Sequence, residues 1–200
     1  MANNVSNLFI TSVLKNFEGR SGFMLQEFNT PRVRKFGWLA SLAFFAICWF
    51  LPILDKNIGY DGAELAHKEF WRLLSEGRSI KTPREFFEFL FIAIGWLANE
   101  FYVIGMVTVF AWPKLAIRLF AFALGIMISW HIPFLEKFPL LIGYWFWVAA
   151  GGLALWLTAL RVAEESGRSI TRVLTEPVGA ALFLFPVIVA STAVILGGLK

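Results

Sequence analysis

Apolar and polar positions follow one another along this chain in long blocks, not in the two-residue alternation of strands. Five stretches are almost wholly apolar and long enough to cross a bilayer as helices, which takes about 20 residues. They are Phe36–Leu54, Phe89–Ala111, Leu115–Leu135, Pro139–Leu160 and Val178–Leu199. The third is interrupted at its start by Arg118, whose long side chain can reach toward headgroups. The pattern predicts an all-α fold: an integral membrane bundle of about five transmembrane helices. Pro186 is expected to kink the fifth span unless a neighbour satisfies the carbonyl it frees.

Two amphipathic segments lie outside these blocks. Val5, Phe9, Val13 and Phe17 recur every four residues, with Ser6, Asn7, Thr11, Lys15 and Asn16 largely opposite. This predicts an N-terminal amphipathic interfacial helix, lying on the inner leaflet, on a partner or on its own bundle. A polar connector, Gly19 to Pro31, follows. Residues 1–35 are thus read as a cytoplasmic N-terminal segment and 36–200 as the transmembrane bundle, with an outer helical loop at 55–85. Inside that loop, Ala63–Ser75 has helical spacing, with Leu65, Phe70, Leu73 and Leu74 set against Glu64, Lys68, Arg72 and Glu76. Thr82-Pro83-Arg84-Glu85 is a helix start: a Thr cap, Pro at the first helical position, Glu three after the cap. Nothing breaks the pattern before Pro113, so one helix of about 45 Å is expected at 1.5 Å per residue. It would project beyond a hydrocarbon layer of about 30 Å. Ala149-Ala150-Gly151-Gly152 with Ala154, and Gly179-Ala180-Ala181, predict close helix contacts.

Composition agrees with the membrane class. Of 200 residues, 58% are hydrophobic and only 16% charged, against roughly a quarter charged in soluble domains, and the mean hydropathy is +0.67. Trp38, Trp49, Trp96, Trp112, Trp130, Trp145 and Trp147 fall near expected span ends, as interfacial aromatic belts do. The net charge of +4 is distributed as an orientation signal. Arg32, Arg34 and Lys35 precede the first span, Lys114 and Arg118 lie between the second and third, and Arg161, Arg168 and Arg172 lie between the fourth and fifth. Five crossings put all three groups on one side. The expected topology in a bacterial inner membrane is therefore N-terminus cytoplasmic and C-terminus periplasmic. No Lys/Arg run resembles a nucleic-acid patch. The single cysteine, Cys48, excludes an internal disulfide and a cysteine-only metal site, and is expected as a small buried residue. No small-residue cleavage pattern follows the first apolar run, which should remain an uncleaved span.

Several short motifs recur in combination: Trp49-Phe50-Leu51-Pro52 at the end of the first span, Gly59-Tyr60 in the loop, Trp96-Leu97-Ala98-Asn99, and Gly143-Tyr144-Trp145-Phe146-Trp147. Over residues 36 to 160 the chain resembles a set of small bacterial four-span membrane proteins. They share a Leu-Pro exit, a Gly-Trp/Tyr loop, a Trp-Leu-Ala-Asn-Pro helix and a Gly-Tyr-Trp span. The resemblance implies a membrane bundle and brings no known activity. Here Glu100 replaces the proline that follows Trp-Leu-Ala-Asn in them, and the fifth span is an addition. In those proteins the second span would begin near the Asn-Pro, which places the corresponding site nearer the outer surface.

Candidate chemistry is sparse. An ionisable group within a span is a functional hypothesis by default, and Glu100 is one; at mid-depth it would be carried as the neutral acid. Asn99 adjoins it but lies about 100° around the helix. These two with His131, near the outer end of the third span, form a possible intramembrane polar site. Glu64 and His67, three apart on the loop helix, form a possible outer-face site. A metal centre would need His67, His131 and carboxylates such as Asp61, Glu64 and Glu136 to converge. A haem between two spans fails, because only His131 lies in a span. Gly151-Gly152 sits inside an apolar run and cannot cradle phosphate. Ser41, Ser129 and Ser191 have no base partner. The expectation is a non-catalytic structural, accessory or assembly subunit of a bacterial inner-membrane complex. Its partners would be the lipid bilayer and other membrane subunits, with no cofactor and no nucleic acid. The alternative is a small proton- or ion-coupled transporter or channel using Glu100.

Overall fold

The structure is a computed structural model. It describes residues 30–54, 57–58, 64, 67–68, 70–72, 75, 80–95, 97–134 and 142–197. The expected amphipathic helix from Val5 to Phe17, the connector from Gly19 to Asn29, Gly59-Tyr60, Asp61, Trp96 and Glu136 lie outside the described residues. The chain separates into two units, Met1–Gly37 and Trp38–Lys200.

The described residues are helical apart from turns and one short antiparallel pairing, β1 (Pro52–Leu54) with β2 (Asn57–Ile58). The helices are α1 (Pro31–Cys48), α2 (Pro83–Gly95), α3 (Leu97–Thr108), α4 (Pro113–Ser129), α5 (His131–Phe134), α6 (Ile142–Ser166), α7 (Ile170–Leu174) and α8 (Pro177–Ile195). The described positions between 64 and 75 are helical as well. Three segments are long and apolar enough to cross a membrane: Pro83–Thr108 with 26 residues, α6 with 25 and α8 with 19.

The other two expected spans correspond to α1 and α4, and each departs from expectation for its own reason. The helix α1 has 18 residues, but Arg32, Arg34 and Lys35 occupy its first turns. It also ends at Cys48 instead of continuing to Leu54. Trp49 and Phe50 close it with short backbone bonds to Ala46 and Ile47, and Pro52 favours extended backbone before it. The helix α4 has 17 residues, of which ten are buried, among them Phe120, Ile126 and Met127. It is the centre of the bundle, packed by α3, α6 and α8.

Side-chain contacts fix the directions of the helices. Trp38 meets Phe120, Ser41 bonds the Ala150 carbonyl and Phe44 meets Phe146. Partners on α6 recede as α1 advances, so the two are antiparallel. Asn99 pairs with Trp147, and Val109 and Phe110 with Arg161, so α3 and α6 are parallel. Tyr144 reaches the Met127 carbonyl, while Ile117 packs with Ala159 and Val162, so α4 opposes α6. Arg118 bonds Glu176 and Gly125 faces Phe183, so α8 runs with α4. The helices α1, α2–α3, α4, α6 and α8 thus alternate in direction.

Local sequence explains the ends. Thr82 Oγ1 accepts from the Glu85 N–H at 3.2 Å while Glu85 Oε2 accepts from the Thr82 N–H at 3.3 Å, completing the capping box ahead of Pro83. Gly167, at φ +64°, closes α6 with the Arg168 N–H returned to the Ala163 carbonyl. Arg161 clamps the opposite chain turn: its guanidinium donates to the Val109 and Phe110 carbonyls at 3.2 and 3.1 Å and to Glu165 at 2.8 Å.

Small residues decide how closely the helices approach. Gly151 lies against Met127, and Ala150 and Ala154 are buried, as the small-residue run in α6 predicts. In α8 the expected close contact at Gly179 fails, since that glycine has open space around it; Pro186 lies inside the helix. The close approach comes instead at Gly125 of α4, where an added Cβ would stand 2.3 Å from the Phe183 carbonyl oxygen. Outward faces are apolar: Leu39, Leu42 and Ile47 on α1; Val103, Ile104 and Val107 on α3; Leu184, Ile188 and Ile195 on α8. Gly125→Ala should therefore force α4 from α8 and cost about 1–3 kcal/mol. Gly152→Ala, with nothing within 4 Å, should cost nothing measurable. Thermal unfolding of the two variants in mild detergent compares them directly.

Candidate functional site

Helical geometry separates Asn99 from Glu100. Residues about 100° apart face different surroundings. Asn99 turns toward α6, where its Oδ1 accepts from Trp147 Nε1 at 2.9 Å. Glu100 is exposed. It lies three, four and seven residues before Val103, Ile104 and Val107, which are 48%, 47% and 75% exposed. The carboxylate therefore heads the outward apolar stripe of α3 and does not point into the bundle. Trp147 is five residues past Ile142, the first residue of α6, so this level is about 8 Å from that end of α6. The basic clamp of Arg161 lies at the opposite end.

Only part of the predicted site is brought together. His67, from the segment between α1 and α2, comes within electrostatic reach of Glu100. Glu64, beside His67 in sequence, is instead taken by Lys68 at 2.6 Å. His67 also contacts the Trp71 ring at 6.1 Å. His131 is half-buried against the rings of Tyr144 and Trp145, at centroid distances of 6.1 and 5.8 Å. Its Nδ1 is buried with no hydrogen-bond partner among the described residues. Among the described residues no three His, Cys, Asp or Glu side chains are grouped to hold a metal ion. Asp61 and Glu136 lie outside them.

The polar feature that sequence reasoning missed is deeper. Tyr102, one turn beyond Asn99, is 1% exposed and its hydroxyl stands 2.7 Å from Ser41 Oγ. Ser41 has one proton, and it is donated to the Ala150 carbonyl at 2.9 Å. Tyr102 must then be the donor to Ser41. The chain Tyr102 to Ser41 to Ala150 ties α3, α1 and α6 together. Phe45 stacks on the Tyr102 ring at 4.2 Å and Phe120 meets its edge at 5.8 Å. Ser41 carries no catalytic sign in the sequence because it has no base. The signal available was a polar pair in two apolar blocks, which burial obliges to find partners.

Of the other buried hydroxyls among the described residues, Tyr144 donates across to the Met127 carbonyl of α4, and two more are satisfied locally. Ser129 donates to the Ile126 carbonyl and Thr158 to the Ala154 carbonyl, each within its own helix or at its end. Cys48 is buried, its Sγ 2.9 Å from the Phe45 carbonyl. Three apolar helices of spanning length, dressed in outward-facing aliphatic and aromatic side chains, define a helical membrane protein. The chain matches no family model, no curated protein and no solved structure.

The hydrogen-bond chain is asymmetric under mutation. Tyr102→Phe removes one donor and leaves Ser41 on Ala150, for a loss of about 0.5–1.5 kcal/mol. Ser41→Ala strands the buried Tyr102 hydroxyl and should cost more, about 1–3 kcal/mol. Equal losses in detergent unfolding would contradict the donor assignment.

Proposed function

We propose that this chain is a multi-pass protein of a bacterial inner membrane, crossing five times with its N-terminus cytoplasmic and its C-terminus periplasmic, and serving as a non-catalytic accessory or assembly subunit of a membrane complex. Five alternately directed helices support the crossing number. The helix α6 serves as a ruler: exposed Trp145 at one end and Arg161 at the other are 16 residues apart, about 24 Å at 1.5 Å per residue. Arg161 holds the turn that carries exposed Trp112. Two aromatic girdles at that spacing suit a hydrocarbon layer of about 30 Å. Even α4, short by length, is surrounded by other helices and needs less apolar length of its own.

The observation that carries the accessory role is the direction of Glu100. A proton carrier faces a polar interior or a water-filled cavity. Glu100 faces outward, at the head of an apolar stripe, with the imidazole of His67 in reach. The fully buried hydroxyls bond helix carbonyls or, for Tyr102, Ser41, and no relay toward Glu100 is formed among the described residues. A carboxylate on an apolar face is costly to leave in lipid, and a neighbouring subunit that supplies a donor or a cation relieves that cost.

Extraction in gentle detergent should therefore bring down a second membrane protein with the wild-type chain. Glu100→Leu should weaken its retention about tenfold, the loss of one charge-assisted contact, with the unfolding temperature unchanged. Migration of the wild type as a lone monomer would defeat the proposal. Loss of pH-dependent flux in liposomes on Glu100→Gln would replace it with a transport role.

A further inference from the structure

The opposite end of the bundle, built from the α3–α4 turn and the α6–α8 connection, carries five cations. Two are committed: Arg161 to the Val109 and Phe110 carbonyls and Glu165, and Arg118 to Glu176 at 3.1 Å. Lys114, Arg168 and Arg172 are exposed and make no ion pair among the described residues. Of the acidic groups here, Glu165 and Glu176 are held by the committed arginines, and Glu164 has an interaction of its own.

The three uncommitted cations lie on the segments that meet at one apolar seam. Ile117 of α4 packs against Val162 and Ala163 of α6 and Val173 of α7. Lys114 lies one turn before Ile117, and Arg172 immediately precedes Val173. Arg168 follows the left-handed Gly167 turn that ends α6. Beside Lys114 the surface is strongly apolar: Phe110 is 72%, Trp112 64% and Leu115 44% exposed. Uncommitted cations next to exposed aromatic and aliphatic side chains fit a ligand with an anionic head and a hydrocarbon tail.

We propose that this end of the bundle binds an anionic phospholipid, with Lys114, Arg168 and Arg172 on the headgroup phosphate and Phe110, Trp112 and Leu115 along the first part of its chains. The site rests on the membrane reading and is independent of any partner subunit. Lys and Arg near a membrane surface favour anionic lipid by about fivefold each, and exposed pairs of this kind weaken with salt. Snorkelling stems lengthen their reach past the rim of the bundle.

The full chain, purified in neutral detergent, is titrated with phosphatidylglycerol or phosphatidylcholine and read by native mass spectrometry of retained lipid. The expected result is a preference for phosphatidylglycerol that falls about fivefold for each of Lys114→Gln, Arg168→Gln and Arg172→Gln, and that disappears in the triple variant. A second triple variant, Lys68→Gln/Arg72→Gln/Lys81→Gln, removes equal charge from the segment between α1 and α2 and should keep the preference. The single variants carry the test if the triple variant does not fold. No headgroup preference, an unchanged preference in all three single variants, or equal loss in the second triple variant would overturn the site. So would full displacement of the lipid by inorganic phosphate, which would mark a phosphate site without a lipid tail. A chain that stays monodisperse without detergent would instead overturn the membrane reading itself.

Discussion

Tyr102 buries its hydroxyl within the bundle, and three helices are arranged around its need for a partner. A buried hydroxyl without a partner costs more than a made bond returns. Ser41 supplies the acceptor, and the Ala150 carbonyl, already engaged in its helix, accepts the serine proton on its second lone pair. Each oxygen can do this only if three helix axes approach closely at one level. Ala98 and Gly105 flank Tyr102 on α3, Ala150 and Gly151 line α6, and none of them holds the backbones apart. Packing follows from the polar constraint as much as from apolar burial. Phe45 and Phe120 then close around the ring and shut the chain of bonds away from competing donors.

The blocks of apolar residues were enough to give the helical class, the start of α2 at Thr82-Pro83 and the contact run in α6. They were not enough to place helix ends or to choose the contacting glycine. Composition assigns Phe36–Leu54 to one span because it counts side chains. The chain stops being helical at Cys48 because Pro52 acts on backbone, which hydropathy does not see. Gly179 and Gly125 are equivalent by residue type. Which of them meets a neighbour depends on the rotation of α4 against α8, which residue type does not encode. Likewise, an isolated serine in α1 and a tyrosine in α3 are 61 residues apart. Nothing local says that they share a depth.

The same limits explain the candidate site. Intramembrane position drew attention to Asn99 and Glu100 together, and helical phase divides them. One residue of phase sends Asn99 inward to an indole N–H and Glu100 outward to the surface. The loop histidine His67 comes into electrostatic reach of Glu100, while Lys68 pairs with Glu64. Spacing alone could pair residues on one helix. It could not bring a loop side chain beside α3.

The two ends of the bundle are chemically unlike, and that difference organises what the protein can do. At one end, arginines close the turns: Arg161 takes carbonyls left open beyond α3, and Arg118 holds the start of α8 through Glu176. Arg161 is a cation placed beyond a helix C-terminus, where open carbonyls favour it. Further cations are left over at the same surface. At the other end, aromatic rings crowd around His131, and Glu100 heads the outward apolar stripe of α3. One end of the bundle leaves cations uncommitted, and the other presents a carboxylate on an apolar helix face. On the proposed reading, retention of anionic lipid through Lys114, Arg168 and Arg172 and recruitment of a neighbour through Glu100 would draw on separate groups at separate ends, so each could be altered without unmaking the core that Tyr102 holds.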